Sequence, residues 1–219
     1  MPNFSPLSET PVQQVRQAVE AALASNWADV VANLRDIKPQ SGANPREQAR
    51  CGSKPPPPPS PAPAANVPWQ KRIFFRDTFI CQYCGTQTVF KPILQLLSAI
   101  CRTKLIAPEL FLYHPKWTTD KIHDIYYLYS TSCDHVLSRN RCGKNTEGNL
   151  LTTCYRCNKY KNYCTLEQLD WNPIKMRSSK WDGLSGYFVD LDKLCQDEKI
   201  PLVIARKGEY TRWINLLKK

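Results

Sequence analysis

The chain has 219 residues, of which 42% are hydrophobic, and a formal net charge of +11. No apolar run approaches the roughly 20 residues that cross a bilayer, and the first residues lack the basic-then-apolar order of a signal peptide, so we expect a cytoplasmic protein with no membrane partner. The ten cysteines are then expected to be metal ligands and free thiols rather than disulfides.

The positive charge is uneven along the chain. Residues 1–65 carry six Lys/Arg against five Asp/Glu, whereas residues 66–219 carry 24 against 14, a net +10. A basic excess confined to one part of a protein attracts a polyanion, and nucleic acid is the usual one.

The N-terminal part predicts a helical appendage followed by a linker. Residues 10–36 show helical spacing of apolar residues, with Thr10 as the expected N-cap and Pro11 at the first helical position. A packing role is favoured over partner docking. Residues 40–66 are rich in proline and predict a semi-rigid polyproline spacer, with an SH3-type ligand as the less favoured alternative. The predicted division is therefore 1–39 (helical hairpin), 40–66 (linker) and 67–219 (main domain).

The main domain is expected to contain an insert, residues 86–131, and a helical C-terminal tail. The insert shows a helical pattern over 90–101 and an aromatic second half that suits a core. Its histidines, His114 and His123, lie beside no carboxylate or cysteine cluster, which disfavours a ligand role. In the tail, Thr165 begins a predicted capped helix, and 209–219 form an amphipathic one.

Two Cys-x-x-Cys pairs supply four thiolates, the complement of a closed tetrahedral zinc site: Cys81, Cys84, Cys154 and Cys157. Neither pair lies in a βαβ pattern, so a redox dithiol is disfavoured. A closed four-sulfur site has no open position, and the predicted Zn²⁺ is therefore structural. The six other cysteines are expected to be buried or free thiols, with a second metal site as the less favoured alternative.

A second group of polar residues lies around the downstream Cys-x-x-Cys pair, Cys154 and Cys157. Residues 131–138 predict a short strand with Asp134 and His135 near its end, and a polar turn marked by Gly143 follows. Asn149 begins the next segment, and Asn158 directly follows a predicted zinc ligand and opens a basic helix. The order is strand, turn, strand, helix.

This arrangement resembles the HNH endonuclease family, whose core is a ββα-metal motif often braced by two Cys-x-x-Cys knuckles. The resemblance covers residues 81–85 and 133–161, about a sixth of the chain. It implies an α+β fold and assigns His135, Asn149 and Asn158 to the family's first His, central Asn and last His positions. The chain departs from many relatives at Ser138, where they have Pro, and at Cys142-Gly143, where they have Gly-Gly.

The chemistry also follows from the residue types. Phosphodiester hydrolysis needs a base to activate water and a cation to neutralise developing charge. His135 suits the base because its ordinary pKa is about 6.5. The oxygen ligands of Asp134 and Asn158 suit Mg²⁺ or Mn²⁺. Neighbours in a strand point to opposite faces, so we expect a bulge or twist that aims Asp134 and His135 together. Asn149 is expected to bond backbone and hold the loop.

Basic side chains flank this constellation and are expected to contact phosphates of a DNA duplex: Arg139, Arg141, Lys144, Arg156, Lys159 and Lys161. The favoured function is a metal-dependent HNH endonuclease that nicks or cleaves DNA. The alternative is a zinc-stabilised nucleic-acid-binding module that does not cut. The sequence leaves open whether the protein acts as a homodimer.

Overall fold

The structure is a computed structural model that describes residues 4–37, 47–53, 55–56, 58–104, 111–114, 122–174, 179–203 and 207–218. Within these ranges the α-helices are α1 (Thr10–Leu23), α2 (Trp27–Arg35), α3 (Val67–Arg76), α4 (Lys91–Thr103), α5 (Ile125–Leu128), α6 (Tyr155–Lys161), α7 (Leu166–Leu169), α8 (Phe188–Asp197) and α9 (Lys207–Leu217). The strands are β1 (Thr131–His135) and β2 (Leu150–Cys154). The fold is α+β, as predicted. Of the described helices, none is long and apolar enough to cross a membrane.

The chain divides into two compact units, each assembled from three stretches. Unit 1 comprises Met1–Leu7, Ala43–Thr88 and Tyr127–Gly183, and unit 2 comprises Ser8–Gly42, Val89–Tyr126 and Leu184–Lys219. This grouping is by contact in space, and it distributes the predicted insert over both units. The linear domain boundaries at residues 39 and 66 stay a prediction.

Unit 1 is built on an antiparallel pair of strands followed by a helix. The register pairs Thr131 with Cys154 and His135 with Leu150, and every residue between them has a partner. Because the pairing is continuous, this described pair of strands has no bulge near Asp134, and the expectation of a bulge was wrong; the alternative, a twist, stays a prediction. Helix α6 starts where β2 ends, and Cys154 caps it by accepting a hydrogen bond from the Cys157 N–H.

Asp77, the C-cap residue of α3, connects this helix to β2 through its buried carboxylate. Asp77 is 2% exposed, pairs with Arg76 at 2.6 Å and accepts a hydrogen bond from the Thr152 N–H at 2.8 Å. Arg76 also donates to the Leu150 carbonyl at 2.8 Å. A buried ion pair of this kind is tolerated when its remaining hydrogen-bonding groups are satisfied, and here they fix the edge of β2.

An aromatic cluster packs around Tyr160 of α6. Tyr160 stacks on Trp171 with ring centroids 5.7 Å apart, Phe4 contacts both rings edge-on, and Tyr83 lies against Trp171 at 5.2 Å. Trp171 is buried, as expected for an apolar anchor of the tail. The cysteine pairs belong to the same apolar cluster.

The described part of the proline-rich segment lies bound to unit 1. The Ala49 N–H donates to the Tyr160 carbonyl at 2.8 Å, and Ala65 is buried against Ile73 and Leu150. The segment has no regular secondary structure in its described residues, as a polyproline path predicts. The described residues of the predicted spacer thus contact unit 1, and their role as a linker between domains stays a prediction.

A disulfide also joins this segment to the core. Cys51 and Cys164 are bonded, with Cα atoms 5.6 Å apart. Both were expected to be thiols, and the expectation was wrong for this pair. The described cysteines outside this bond are free. The two residues are 113 positions apart, and no spacing motif connects them.

Unit 2 is helical in its described residues. The predicted hairpin is confirmed as α1 and α2, although the N-cap of α1 is Glu9 and not Thr10. The predicted helices in the insert and at the C-terminus are confirmed as α4 and α9. Insert aromatics form a core, as expected: Tyr126 is fully buried and donates to the Leu94 carbonyl at 2.7 Å. His123 stacks on Phe111 within this core.

Candidate functional site

The four cysteines of the two Cys-x-x-Cys pairs converge in unit 1. All four are buried, and their sulfur atoms lie within 4.8 Å of one another, with 3.9 Å between Cys84 and Cys154. A zinc ion bonded at about 2.3 Å by four tetrahedral sulfurs implies sulfur–sulfur distances of about 3.8 Å, which fits this cluster. Gly85, at φ +76°, lies directly after the first pair and adopts the left-handed conformation that a tight turn requires.

The protonation of the cluster also suits a cation. Burial and neighbouring sulfurs raise the pKa of Cys81, whereas hydrogen bonds from the neighbouring thiols, Cys154 first, lower the pKa of Cys84. A set of buried thiols that shares protons in this way binds a divalent ion by releasing them. Cys81 and Cys84 reach the cluster from the turn after α3, so the metal would link that turn to α6.

One face of β1 packs against α6 and carries the predicted ligands of the second ion. Asn158 Nδ2 donates to Ser132 Oγ at 2.6 Å. Two residues along the strand, Asp134 Oδ2 accepts from Tyr83 at 2.8 Å and lies 3.0 Å from the Lys161 ammonium. Alternation along a strand places Ser132 and Asp134 on the same face. Asp134 and Asn158 therefore both lie at the interface between β1 and α6, and their shared role as metal ligands stays a prediction.

The donor chemistry of this interface fits a hard cation. Both described contacts of the Asp134 carboxylate use Oδ2, and the Asn158 contacts use its nitrogen. Asp134 Oδ1 and the amide oxygen of Asn158 have no described contact, and oxygen atoms of this kind are the ligands that Mg²⁺ or Mn²⁺ would take. The Lys161 ammonium already supplies positive charge beside Asp134.

His135 lies at the last position of β1, where the loop begins. Its Nε2 is 2.7 Å from Asn145 Oδ1, so its partner comes from the loop and not from α6. Burial lowers the pKa of His135, with the Asn145 hydrogen bond acting in the opposite direction. The imidazole is therefore neutral at pH 7, which is the form that accepts a proton.

Asn149 holds the loop in the way that the sequence predicted. Its Oδ1 accepts from the Leu137 N–H at 2.7 Å, and its Nδ2 donates to the carbonyls of Leu137 and Lys144 at 3.2 and 2.9 Å. The side chain thus joins both arms of the loop that begins after His135. No described contact joins it to Asp134 or Asn158.

Two of the predicted phosphate contacts are wrong. Lys161 is fully buried and donates to the His135 carbonyl at 2.8 Å, so it holds the strand end from inside the unit. Arg156 is 6% exposed, lies over the Phe4 ring at 4.4 Å and donates to the Ser5 carbonyl. The helical periodicity of α6 turns both side chains inward, and sequence charge alone does not show this.

The other basic residues remain at the surface of unit 1. Lys144 is exposed and Lys159 half-buried. Arg139 donates through Nε to the Ala62 carbonyl at 2.7 Å, and Arg141 donates to the Tyr163 carbonyl at 3.0 Å. Arg141 also donates through Nη2 to Gln168 Oε1 at 3.5 Å, so these contacts orient both guanidinium groups. Phosphate binding by these four residues stays a prediction.

Three contacts of the site were missed by sequence reasoning. Tyr83 lies inside the first cysteine pair and bonds Asp134, Asp77 fixes β2, and Asn145 bonds His135. The position of Tyr83 between two predicted ligands was the one available signal. Burial and the Asp134 charge raise its pKa, so it remains a hydrogen-bond donor to that carboxylate.

One part of the chain matches a model of a known protein family. The family model that matches is described as HNH endonuclease and covers residues 119–163. This segment matches the HNH endonuclease family. The HNH segment, residues 119–163, contains β1, β2 and α6, together with Asp134, His135 and Asn158. No curated protein and no solved structure matches the chain. The match confirms the resemblance and supports a nuclease of the HNH kind, a family that is metal-dependent.

Proposed function

We propose that the protein is a metal-dependent HNH endonuclease that hydrolyses phosphodiester bonds of double-stranded DNA by nicking or cleavage. The observation that carries the proposal is the content of the HNH segment: His135 ends β1, and Asp134 and Asn158 both lie where β1 packs against α6. A candidate base and two candidate oxygen ligands are thus carried by one ββα unit. Nicking follows from one site per chain, and cutting both strands would require two visits or a homodimer.

In this proposal His135 takes the proton of the attacking water. Its lowered pKa keeps the imidazole neutral at pH 7, and general bases of this kind contribute roughly 10²–10⁴-fold. Asn149 holds the loop that follows the base. Arg139, Arg141 and Lys144 bind phosphates along the duplex and position it without reading bases.

The metal ions have separate roles. Asp134 and Asn158 hold Mg²⁺ or Mn²⁺, which supplies positive charge to the phosphate and to the leaving oxygen. Cys81, Cys84 and the Cys154/Cys157 pair hold Zn²⁺, which stabilises the fold and takes no part in the reaction. The four-sulfur set supports this division because it leaves no open position.

One observation favours the second candidate, a zinc-stabilised module that binds nucleic acid and does not cut. The Lys161 ammonium lies 3.0 Å from Asp134 Oδ2 and is fully buried, so the carboxylate already has a cationic partner. A carboxylate whose charge is satisfied in this way is a weaker ligand for a divalent ion. Only a cleavage assay separates the two functions.

The test is nicking of supercoiled plasmid in the presence of Mg²⁺ or Mn²⁺. We expect the wild-type protein to produce open circles and His135→Ala to lose roughly 10²-fold or more of the rate. His114→Ala is the matched control, because it makes the same change outside the HNH segment, and it should retain the wild-type rate. Retarded plasmid without nicks would contradict the endonuclease and support the binding module, whereas full activity of His135→Ala would refute the assigned base.

A further inference from the structure

The loop after β1 carries a side chain that bonds the imidazole of His135. Asn145 Oδ1 lies 2.7 Å from His135 Nε2, and Asn145 Nδ2 donates to the Pro63 carbonyl at 3.2 Å. The amide is therefore held between the base and the proline-rich segment. Neither the family match nor the proposed mechanism assigns a role to this residue.

The Pro63 contact fixes which end of the amide faces the imidazole. A backbone carbonyl only accepts hydrogen bonds, so the amide nitrogen must face Pro63. The amide oxygen then faces His135, and because that oxygen only accepts, Nε2 must carry the proton. A neutral imidazole with its proton on Nε2 has a free lone pair on Nδ1.

The loop that carries Asn145 and the segment that carries Pro63 are both held by further contacts. Asn149 Nδ2 donates to the carbonyl of Lys144, the residue next to Asn145, at 2.9 Å. On the other side, Arg139 donates to Ala62, the residue next to Pro63, and Ala65 is buried in the core. The alignment of Asn145 thus depends on the proline-rich segment as well as on the loop.

We propose that Asn145 is a positioning residue for His135, which holds the imidazole with its proton on Nε2 and presents Nδ1 to the water. This deepens the proposed function and, for its effect on cleavage, rests on it. It also makes residues 62–65 of the proline-rich segment part of the candidate active site.

The direct test is the tautomer of His135, read at pH 8 by long-range ¹H–¹⁵N correlation spectra of the full chain. The sequence has three histidines, so the signals are assigned with single His→Gln variants. We expect an Nε2–H imidazole in the wild-type protein and a mixture of tautomers in Asn145→Leu. Asn140→Leu makes the same change elsewhere in the loop and should leave the spectrum of His135 unchanged.

Activity supplies the second readout. Asn145→Leu should lower kcat roughly tenfold to a hundredfold with little change in KM, as losses of partners that orient an imidazole do. Asn145→Asp keeps an oxygen acceptor for Nε2–H but loses the donor to Pro63, so it should restore the tautomer and only part of kcat. This variant also keeps the test valid if the Leu variant folds poorly.

The outcomes separate the two proposals. An Nδ1–H imidazole in the wild-type protein, or an Nε2–H signal that persists unmixed in Asn145→Leu, overturns the positioning role whatever the cleavage result. If the tautomer responds as expected but the wild-type protein never nicks plasmid, the hydrogen-bonding role of Asn145 is supported and the endonuclease proposal fails.

Discussion

At the scale of single residues, the loop between β1 and β2 is governed by steric constraints at two adjacent positions. Cys142 has φ +64°, in the left-handed region that disfavours side chains, and it is exposed. Gly143 has no room for a side chain, because a Cβ there would lie 1.7 Å from the Leu137 carbonyl oxygen. The family pattern of Gly-Gly at this point therefore has two distinct physical reasons.

Substitutions at these two positions should change stability in opposite directions. Cys142→Gly relieves the left-handed strain and should raise the free energy of unfolding by about 1 kcal/mol. Gly143→Ala forces the backbone of Leu137 to move and should lower it by about 1–3 kcal/mol. Urea denaturation of both variants measures the two effects. Equal effects of the same sign would show that the loop conformation is not the cause.

At the scale of elements, α6 connects the four-cysteine cluster to the residues proposed for the second ion. Cys154 and Cys157 belong to the four-sulfur cluster, while Asn158 and Lys161 contact β1 from the next turn of the same helix. A helix of seven residues is too short to be stable alone, so its position depends on packing and on the metal. An ion bound by the four cysteines would therefore fix the position of Asn158.

Loss of zinc should consequently abolish cleavage that zinc itself does not perform. We expect one tightly bound zinc per chain by elemental analysis, and Cys81→Ser should lose it together with the cooperative thermal transition of unit 1. Added Mg²⁺ should not restore nicking. Cys133→Ser is the matched control, since Cys133 lies in β1 outside the cluster. A Cys81→Ser protein that stays folded without zinc and cuts DNA would refute the coupling.

At the scale of the whole molecule, the charge follows the division into units. Unit 1 carries 15 Lys/Arg against 7 Asp/Glu, a net +8, and unit 2 carries 15 against 12, a net +3. The unit that contains the HNH segment thus holds most of the excess. A positive field around the candidate site attracts polyanions, and DNA, the proposed partner, is one of them.

DNA affinity should therefore fall steeply with salt. Four phosphate contacts, from Arg139, Arg141, Lys144 and Lys159, give a slope of log K against log salt of about −3.6, or a loss on the order of 10² between 50 and 200 mM. Lys144→Gln should reduce the slope by about 1. Lys193→Gln, an exposed change in α8 of unit 2, is the control. A slope that Lys144→Gln leaves unchanged would remove this residue from the interface.

The sequence by itself determined the features that are encoded within short stretches. The order of strand, turn, strand and helix, the loop-holding contacts of Asn149 and the capping box at Thr165 follow from local spacing and residue type. The four-cysteine set was also predictable, although it spans a long insert, because thiolate pairs have one common coordination chemistry.

Only the tertiary structure decided which polar groups meet across long separations. The burial of Lys161 beside Asp134, the Cys51–Cys164 disulfide and the contact of Asn145 with Pro63 join residues that no periodicity relates. The charge of a lysine or the thiol of a cysteine is the same in sequence whether it faces solvent or core. Its role depends on which neighbours the packing of unit 1 supplies, and those neighbours lie up to 113 positions away.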